Sequence, residues 1–89
     1  MVVLYAKTFK KQLETTAPKI QSAFLRRRRL FEKNSSAPQL RNHALQGKYK
    51  GMRSINVTGD WRAVFEEKSS ANERIVIFRE LGTHSHLYR

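Results

Sequence analysis

The chain has 89 residues, which is enough for one small domain. With 39% hydrophobic and 28% charged residues, its composition is typical of a globular protein and excludes an intrinsically disordered one. It contains 18 Lys and Arg residues against 7 Asp and Glu, a formal net charge of +11. Because such a surface repels itself, we expect it to bind a polyanion such as a nucleic acid.

The features that the sequence lacks exclude several further classes of protein. There is no cysteine, which removes disulfides, thiolate metal sites and thiol nucleophiles, and suits a reducing cytosol. No apolar run approaches the roughly 18 residues that a membrane span requires. The apolar residues 1–6 are too few for the core of a signal peptide. A cytoplasmic protein without a membrane partner is therefore expected.

The first half of the chain predicts one strand and two helices. Residues 1–6 are β-branched and apolar, which favours a strand. An apolar stripe with the helical spacings of four and seven follows, formed by Phe9, Leu13, Ile20, Phe24 and Phe31. Pro18 is disfavoured inside a helix but suits the first turn of one, so it divides the stripe into helices over 7–14 and 18–33. Residues 34–38 have the composition of a loop.

The second half of the chain predicts three strands. Residues 52–58 alternate moderately, residues 58–60 are a turn signal, and residues 61–67 follow as the next strand. Residues 68–72 are a polar loop, and the apolar residues 75–78 indicate a buried strand over 73–80. Gly82 is expected to end this strand and to leave 83–89 as a tail. This order predicts an α+β fold in which a helical hairpin covers one face of an antiparallel meander.

The positive charge is concentrated before the predicted meander. Residues 1–50 carry 12 Lys and Arg and two Glu, a net +10, whereas residues 51–89 carry six basic and five acidic residues, a net +1. Arginine occupies the four consecutive positions 26–29, which lie about 100° apart on a helix and cannot share one face. We interpret this run as a basic surface that contacts a phosphate backbone from several sides, or simply as a solvated surface.

Three histidines lie outside the predicted core elements, at His43, His84 and His86. Cleavage of RNA at its own 2′-hydroxyl needs a base near neutral pH, an acid for the leaving oxygen, and cations at the phosphoryl group. Histidine suits the first two tasks because its ordinary pKa is about 6.5. Arg and Lys suit the third. The candidates near the histidines are Lys48, Lys50, Arg53, Asp60, Arg62 and Tyr88.

Each candidate also has an ordinary structural explanation. A lone surface histidine such as His43 is more often a bystander than a catalyst. Since two histidines close a coordination sphere poorly, we expect no metal site at His84 and His86. Trp61 begins a strand and is expected in the core, which leaves Tyr49 and Tyr88, in a loop and the tail, as the candidates for base stacking.

Four motifs follow one another in the second half: NHALQG at 42–47, KGMRS at 50–54, VTGDWR at 57–62 and LGTHSHLY at 81–88. With the helical hairpin before them, they resemble the YafQ branch of the RelE/ParE superfamily, the toxins of bacterial type II toxin–antitoxin pairs. The resemblance covers residues 1–89 as one RelE-like domain. The terminal motif is the most specific, because neither packing nor turn chemistry demands it.

The resemblance implies a ribosome-dependent endoribonuclease that cuts messenger RNA by 2′-hydroxyl attack without a metal or other cofactor. By position, His43 and His84 match catalytic histidines, and Asp60 matches an acidic catalytic residue. Tyr88 matches an aromatic residue near the carboxyl terminus. His84 or Asp60 would take the 2′-hydroxyl proton, and His43 would donate to the leaving 5′-oxygen or assist.

The resemblance also implies the residues that bind the RNA. Arg53 and Arg62 match basic positions beside the scissile phosphate. Lys48 and Lys50 are further candidates for phosphate contacts, and Tyr49 would help Tyr88 to hold a base out of its stack. The basic first half would grip ribosomal RNA.

The shared fold and two departures from the family pattern keep other functions open. Ser54 stands where one branch has Asp, and Asn56 stands where it has a further His, so fewer acid and base groups are present. The alternatives are a ParE-like toxin that binds DNA gyrase and a catalytically silent RNA-binding domain of the same fold. A toxin implies an acidic, partly disordered antitoxin that covers His43 and His84. The isolated chain is expected to be a monomer.

Overall fold

A computed structural model describes residues 1–88 and shows an α+β fold. Its elements are β1 (Val2–Tyr5), α1 (Lys7–Thr15), α2 (Pro18–Lys33), β2 (His43–Ala44), β3 (Arg53–Asn56), β4 (Trp61–Ser70), β5 (Glu73–Thr83) and the single-turn α3 (His84–Leu87). Short 3₁₀ helices lie at Pro38–Leu40 and Gly47–Tyr49. None of the helices within residues 1–88 is long and apolar enough to cross a membrane.

The strands form one five-stranded sheet in the order β1-β5-β4-β3-β2. The strands β2 to β5 pair antiparallel, as the predicted meander requires. The strand β1 pairs parallel with β5 at the far edge. A parallel pair needs a long crossover, and the two helices α1 and α2 supply it. The element order and the helical hairpin on one face confirm the fold class predicted from the sequence.

The main core lies between the helices and one face of the sheet. Pro18 occupies the first turn of α2, where its missing N–H is harmless. Phe24 of α2 is fully buried, with ring centroids 5.0 Å from Phe9 and 5.1 Å from Phe78. The ring centroid of Phe31 lies 5.1 Å from that of Phe65 in β4. The predicted helical stripe therefore packs against alternate residues of β4 and β5.

The hairpin between β4 and β5 is longer than predicted, and the expected loop over 68–72 is wrong. β4 runs to Ser70 and β5 begins at Glu73, so only Ala71 and Asn72 form the turn. Both turn residues have positive φ angles, 48° and 70°. Positive φ at both positions suits the two-residue hairpin turns that match the twist of the strands. The polar composition reflects exposure of the hairpin tip rather than loss of pairing.

Two elements were not predicted, and both depend on packing. Gly82 does not end β5: the strand continues to Thr83, and 84–87 form α3 rather than a tail. A Cβ on Gly82 would lie 3.3 Å from atoms of His86 and Leu87, so the glycine lets α3 fold closely over the strand. The strand β2 is a two-residue edge strand held by β3. Arg89, the end of the predicted tail, lies outside the described residues.

Candidate active site

The face of the sheet that the helices leave open carries the polar side chains. His43 is paired with Ser54, and Asn56 is paired with Arg62. Paired residues, and residues two apart on one strand, share a face of the sheet. These four side chains therefore lie on one face, while Ile55 between them belongs to the main core on the other.

A cleft of about 570 Å³ opens on this face. It brings together four of the predicted site residues: His43, Arg62, His84 and Tyr88. Arg41, Gln46 and Asn56 complete its polar lining. Residues that are distant in the sequence, such as His43 and Tyr88, thus meet at one place, with both histidines exposed to solvent.

His43 is held in a defined orientation by the backbone of Arg41. Its Nδ1 lies 2.7 Å from the Arg41 carbonyl oxygen. Because a carbonyl only accepts, Nδ1 must carry a proton, and the neutral ring then presents an unprotonated Nε2. Arg41 itself has φ 46° and ψ 46°, a left-handed conformation that is uncommon for arginine. The sequence reasoning missed Arg41, because a left-handed arginine has no compositional signal.

His84 is positioned by the way in which α3 begins. Its backbone N–H donates to the Asp60 carbonyl oxygen at 2.9 Å, and the Thr83 hydroxyl accepts from the backbone N–H of His86 at 3.2 Å. The imidazole of His84 packs on the ring of Tyr88, with 4.8 Å between their centroids. No hydrogen bond from residues 1–88 fixes the ring nitrogens of His84, in contrast to His43.

Arg62 is anchored by the turn before β4. Its Nη1 donates to the carbonyl oxygens of Thr58, Gly59 and Trp61 at 3.2, 3.1 and 3.2 Å. A guanidinium has five N–H groups, so the three on Nε and Nη2 stay available for an anion in the cleft. The turn that the sequence predicts at 58–60 therefore orients the Arg62 guanidinium towards the cleft.

The structure places the two tyrosines that the sequence predicts for base stacking in different environments. Tyr49 is only 6% exposed, so the prediction that it stacks on an RNA base is wrong for this structure. The 3₁₀ helix that contains Tyr49 directs its ring inward. There the ring packs with Leu45, Val64 and Leu87 in a small second core. Burial raises the pKa of Tyr49 well above its ordinary value, and the nearby carboxylate of Glu80 adds to the rise.

Tyr88 connects this second core to the cleft. Its ring meets Tyr49 edge-on, with 5.9 Å between centroids and 89° between planes. The Tyr88 hydroxyl is buried without a hydrogen-bond partner among residues 1–88, as is the hydroxyl of the fully buried Ser54. The ring of Tyr88, rather than its hydroxyl, is therefore the part that a substrate in the cleft can contact.

The other predicted residues do not line this cleft. Asp60 is exposed and contributes its backbone carbonyl. Arg53 lies on the helix side of the sheet, where its Nε donates to the Asn42 Oδ1 at 2.7 Å, in a separate groove of about 500 Å³. Lys48 and Lys50 are exposed nearby, with the Lys48 Nζ 5.0 Å from the ring centroid of Tyr49.

The site offers groups for proton transfer and anion binding. No three His, Asp or Glu side chains within residues 1–88 are grouped so that they could hold a metal ion. The groups that meet in the cleft are two exposed imidazoles, one anchored guanidinium and an aromatic ring. This set is suited to acid–base chemistry on a phosphodiester.

Several solved structures of toxins share this fold. A YoeB/ParE toxin from Agrobacterium tumefaciens has a TM-score of 0.77 at 16% identity, over 94% of this chain and 99% of that chain. YafQ from Escherichia coli strain BL21(DE3) has a TM-score of 0.70 at 21% identity, over 98% and 97%. In a RelB-RelE antitoxin-toxin complex from Methanococcus jannaschii, the matched chain has a TM-score of 0.68 at 22% identity, over 96% and 94%. The fold is that of toxins from toxin–antitoxin systems.

The sequence identifies the family within this class. No curated protein matches the chain. A family model described as the bacterial toxin of type II toxin-antitoxin system, YafQ, matches residues 1–89. The chain therefore belongs to the YafQ family of type II toxins, as its motifs predicted.

Proposed function

We propose that this YafQ-family toxin cuts messenger RNA on the translating ribosome. The observation that carries the proposal is the single cleft in which His43, His84 and Arg62 meet. In the proposed reaction the ribose 2′-oxygen attacks the adjacent phosphorus and the bond from phosphorus to the 5′-oxygen breaks. The products end in a 2′,3′-cyclic phosphate and a 5′-hydroxyl. One group must take the 2′-hydroxyl proton, and another must give a proton to the 5′-oxygen.

His43 is the better base of the two histidines. A general base acts in its neutral form and needs the correct tautomer, and the Arg41 carbonyl favours the tautomer whose Nε2 is free to accept. A general acid carries protons on both nitrogens and needs no such selection. His84, with no hydrogen bond to its ring within residues 1–88, suits the acid. This assignment exchanges the roles that the sequence suggested and leaves Asp60 as a residue that positions α3 through its carbonyl.

Arg62 would stabilise the charge that develops on the phosphoryl oxygens. Its anchored guanidinium presents up to three N–H groups without further reorganisation. The ring of Tyr88, packed at a tilt against His84, would support a base next to the scissile bond. The arrangement supplies base, acid, cation and stacking surface from four side chains.

The charge of the chain supports ribosomal RNA as the surface on which the toxin docks. The first 50 residues carry a net +10, and nine of their 12 Lys and Arg residues lie in α1 and α2. Arg26 and Arg29 are exposed, whereas Arg28 turns inward and donates to the Tyr5 hydroxyl at 2.7 Å. Contacts of this kind add affinity without sequence information and weaken as salt rises. Action on ribosomes would place the toxin in the cytoplasm.

An acidic antitoxin is the proposed partner that silences the site. The structure from Methanococcus jannaschii is itself an antitoxin-toxin complex. A net charge of +11 would draw an acidic chain to the surface, and a segment lying over His43 and His84 would exclude RNA. The association should be fast and sensitive to salt.

Primer extension on a reporter messenger tests the proposal, with and without translating ribosomes. The toxin should cut only where ribosomes are present, and His43→Gln and His84→Gln should each lower cutting by about 10²- to 10⁴-fold. Ser22→Ala, at an exposed position of α2, serves as the matched control and should cut normally. Cuts on free RNA would remove the ribosome from the proposal. No cuts with ribosomes, together with inhibition of DNA gyrase, would replace it with the ParE-like function.

A further inference from the structure

A second cleft, of about 400 Å³, lies on the other side of α3. Gln12, Thr15 and Thr16 form one wall at the end of α1, and Trp61, Thr83 and His86 form the other. Trp61 is adjacent to Arg62 in β4, and His86 shares α3 with His84. The second cleft is thus a close neighbour of the catalytic cleft, at the same end of the sheet.

The chemistry of this cleft differs from that of the rest of the surface. None of its lining residues is Lys, Arg, Asp or Glu, although the chain carries a net +11. Two aromatic side chains line it: Trp61, half-buried against the main core, and the exposed His86. Aromatic faces without a fixed charge favour a flat, neutral group over a phosphate.

Gln12 adds a donor of fixed orientation. Its Oε1 accepts from the backbone N–H of Leu81 at 2.7 Å. Since an N–H only donates, the amide oxygen must face Leu81, and the Nε2 group is the donor that remains for a ligand. No hydrogen-bond partner for this Nε2 is found within residues 1–88. A directed donor beside an aromatic surface is the arrangement that reads the edge of a base.

We propose that this cleft binds one nucleobase of an RNA strand, stacked against Trp61 and His86, with the Gln12 Nε2 donating to a ring nitrogen or carbonyl of the base. The inference rests on the proposed RNA substrate, but binding to the cleft does not require cleavage. It assigns a binding role to Trp61, which the sequence predicted as a core residue, and to His86, for which the motifs predicted none.

Intrinsic fluorescence tests the proposal, because Trp61 is the sole tryptophan of the chain. Single-stranded hexaribonucleotides should quench Trp61 saturably, and a hexamer with abasic sugars should bind through its phosphates without quenching. Gln12→Glu keeps the acceptor for Leu81 but replaces the donor, and it should weaken the quenching isotherm about tenfold, as should His86→Ala. Ser22→Ala should leave it unchanged.

Three results of the binding measurements would overturn the proposal. The first is binding by anisotropy without quenching of Trp61. The second is equal quenching by the abasic hexamer. The third is an isotherm that neither Gln12→Glu nor His86→Ala shifts. Because these are binding measurements, a toxin that fails to cut any RNA but shows the expected quenching would refute the cleavage mechanism and keep the base site.

Cleavage on ribosomes shows which RNA, messenger or ribosomal, supplies the nucleobase that this cleft binds. If the messenger supplies it, Gln12→Glu should change the codon preference in primer extension. If ribosomal RNA supplies it, the same variant should lower cutting at all codons by a similar factor. Unchanged cutting at every codon would show that no base enters the cleft during the reaction, which would contradict the proposal.

Discussion

Leu87 should hold α3, the helix that carries His84, in place. Its side chain is 1% exposed and packs in the second core with Leu45, Tyr49 and Val64. The helix α3 spans only four residues, and a single turn is not stable without tertiary contacts. We therefore expect Leu87→Ala to release α3, with His84 and Tyr88, before it unfolds the rest of the chain.

The size of the effect follows from the buried atoms. The substitution removes three carbon groups, each worth about 0.8 kcal/mol of transfer free energy, or about 2.4 kcal/mol in all. The cavity that remains would add to this cost in a rigid core. Because α3 lies at the surface and can move, the transfer energy is the better guide. A loss of this size raises the detached population of α3 about 50-fold.

Amide hydrogen exchange measures this release directly. In Leu87→Ala, the backbone amides of His84, His86 and Tyr88 should exchange about 50-fold faster, while those of α2 and β4 change less, and ribosomal cleavage should fall in parallel. Leu25→Ala is the matched control, because Leu25 is 41% exposed on α2 and its loss should cost less than about 0.5 kcal/mol. Equal exchange at α3 in the two variants would refute the reasoning.

The structure makes three further predictions. The pKa of Tyr49 is raised in the folded chain, so the folded chain keeps a phenol proton that the unfolded chain releases above the ordinary pKa of 10.0. The contribution of Tyr49 to the free energy of unfolding is therefore complete below pH 10 and falls as the pH rises further. Urea unfolding between pH 8 and 11 should therefore show a smaller decline in Tyr49→Phe, and an equal decline would contradict the burial argument. Asp60→Asn keeps the carbonyl that binds His84, so its cleavage rate on ribosomes should fall less than that of His84→Gln, whereas an equal fall would give the carboxylate a direct role. Phe24→Ala should lower the free energy of unfolding by about 3–5 kcal/mol because it empties the centre of the aromatic core, and a loss below about 1 kcal/mol would show that this core repacks.

The sequence predicted the elements that organise the main core. The apolar stripe and Pro18 determine the two helices, because both signals act through local backbone preferences. The four apolar residues at 75–78 indicated β5 for the same reason. Elements of this kind carry their own pattern, so one sequence was sufficient to predict their order.

The elements that assemble the site could not be predicted in the same way. The strand β2 exists because His43 and Ala44 pair with β3, and α3 exists because Leu87 has a core to enter. Neither has a periodic pattern of its own. The sequence predicted a loop position for Tyr49, because no local pattern shows that residues distant in the sequence bury its side chain.

Arg53 shows where a signal was present but unused. In a strand, alternate side chains share a face, so the alternation in β3 places Arg53 with the buried Ile55 and separates it from Ser54 and Asn56. Applying this period to the motif KGMRS would have assigned Arg53 to the helix side of the sheet. The motif match alone carried no information about which face the side chain occupies.

The most direct test of the central claim is cleavage of a messenger with one altered sugar. A reporter is placed on translating ribosomes with a single 2′-deoxynucleotide on the 5′ side of the preferred cut, beside an otherwise identical all-ribose messenger. If the 2′-hydroxyl is the nucleophile that His43 activates, cutting at that bond should be lost, and the all-ribose product should end in a 2′,3′-cyclic phosphate. Equal cutting of both messengers would contradict the mechanism.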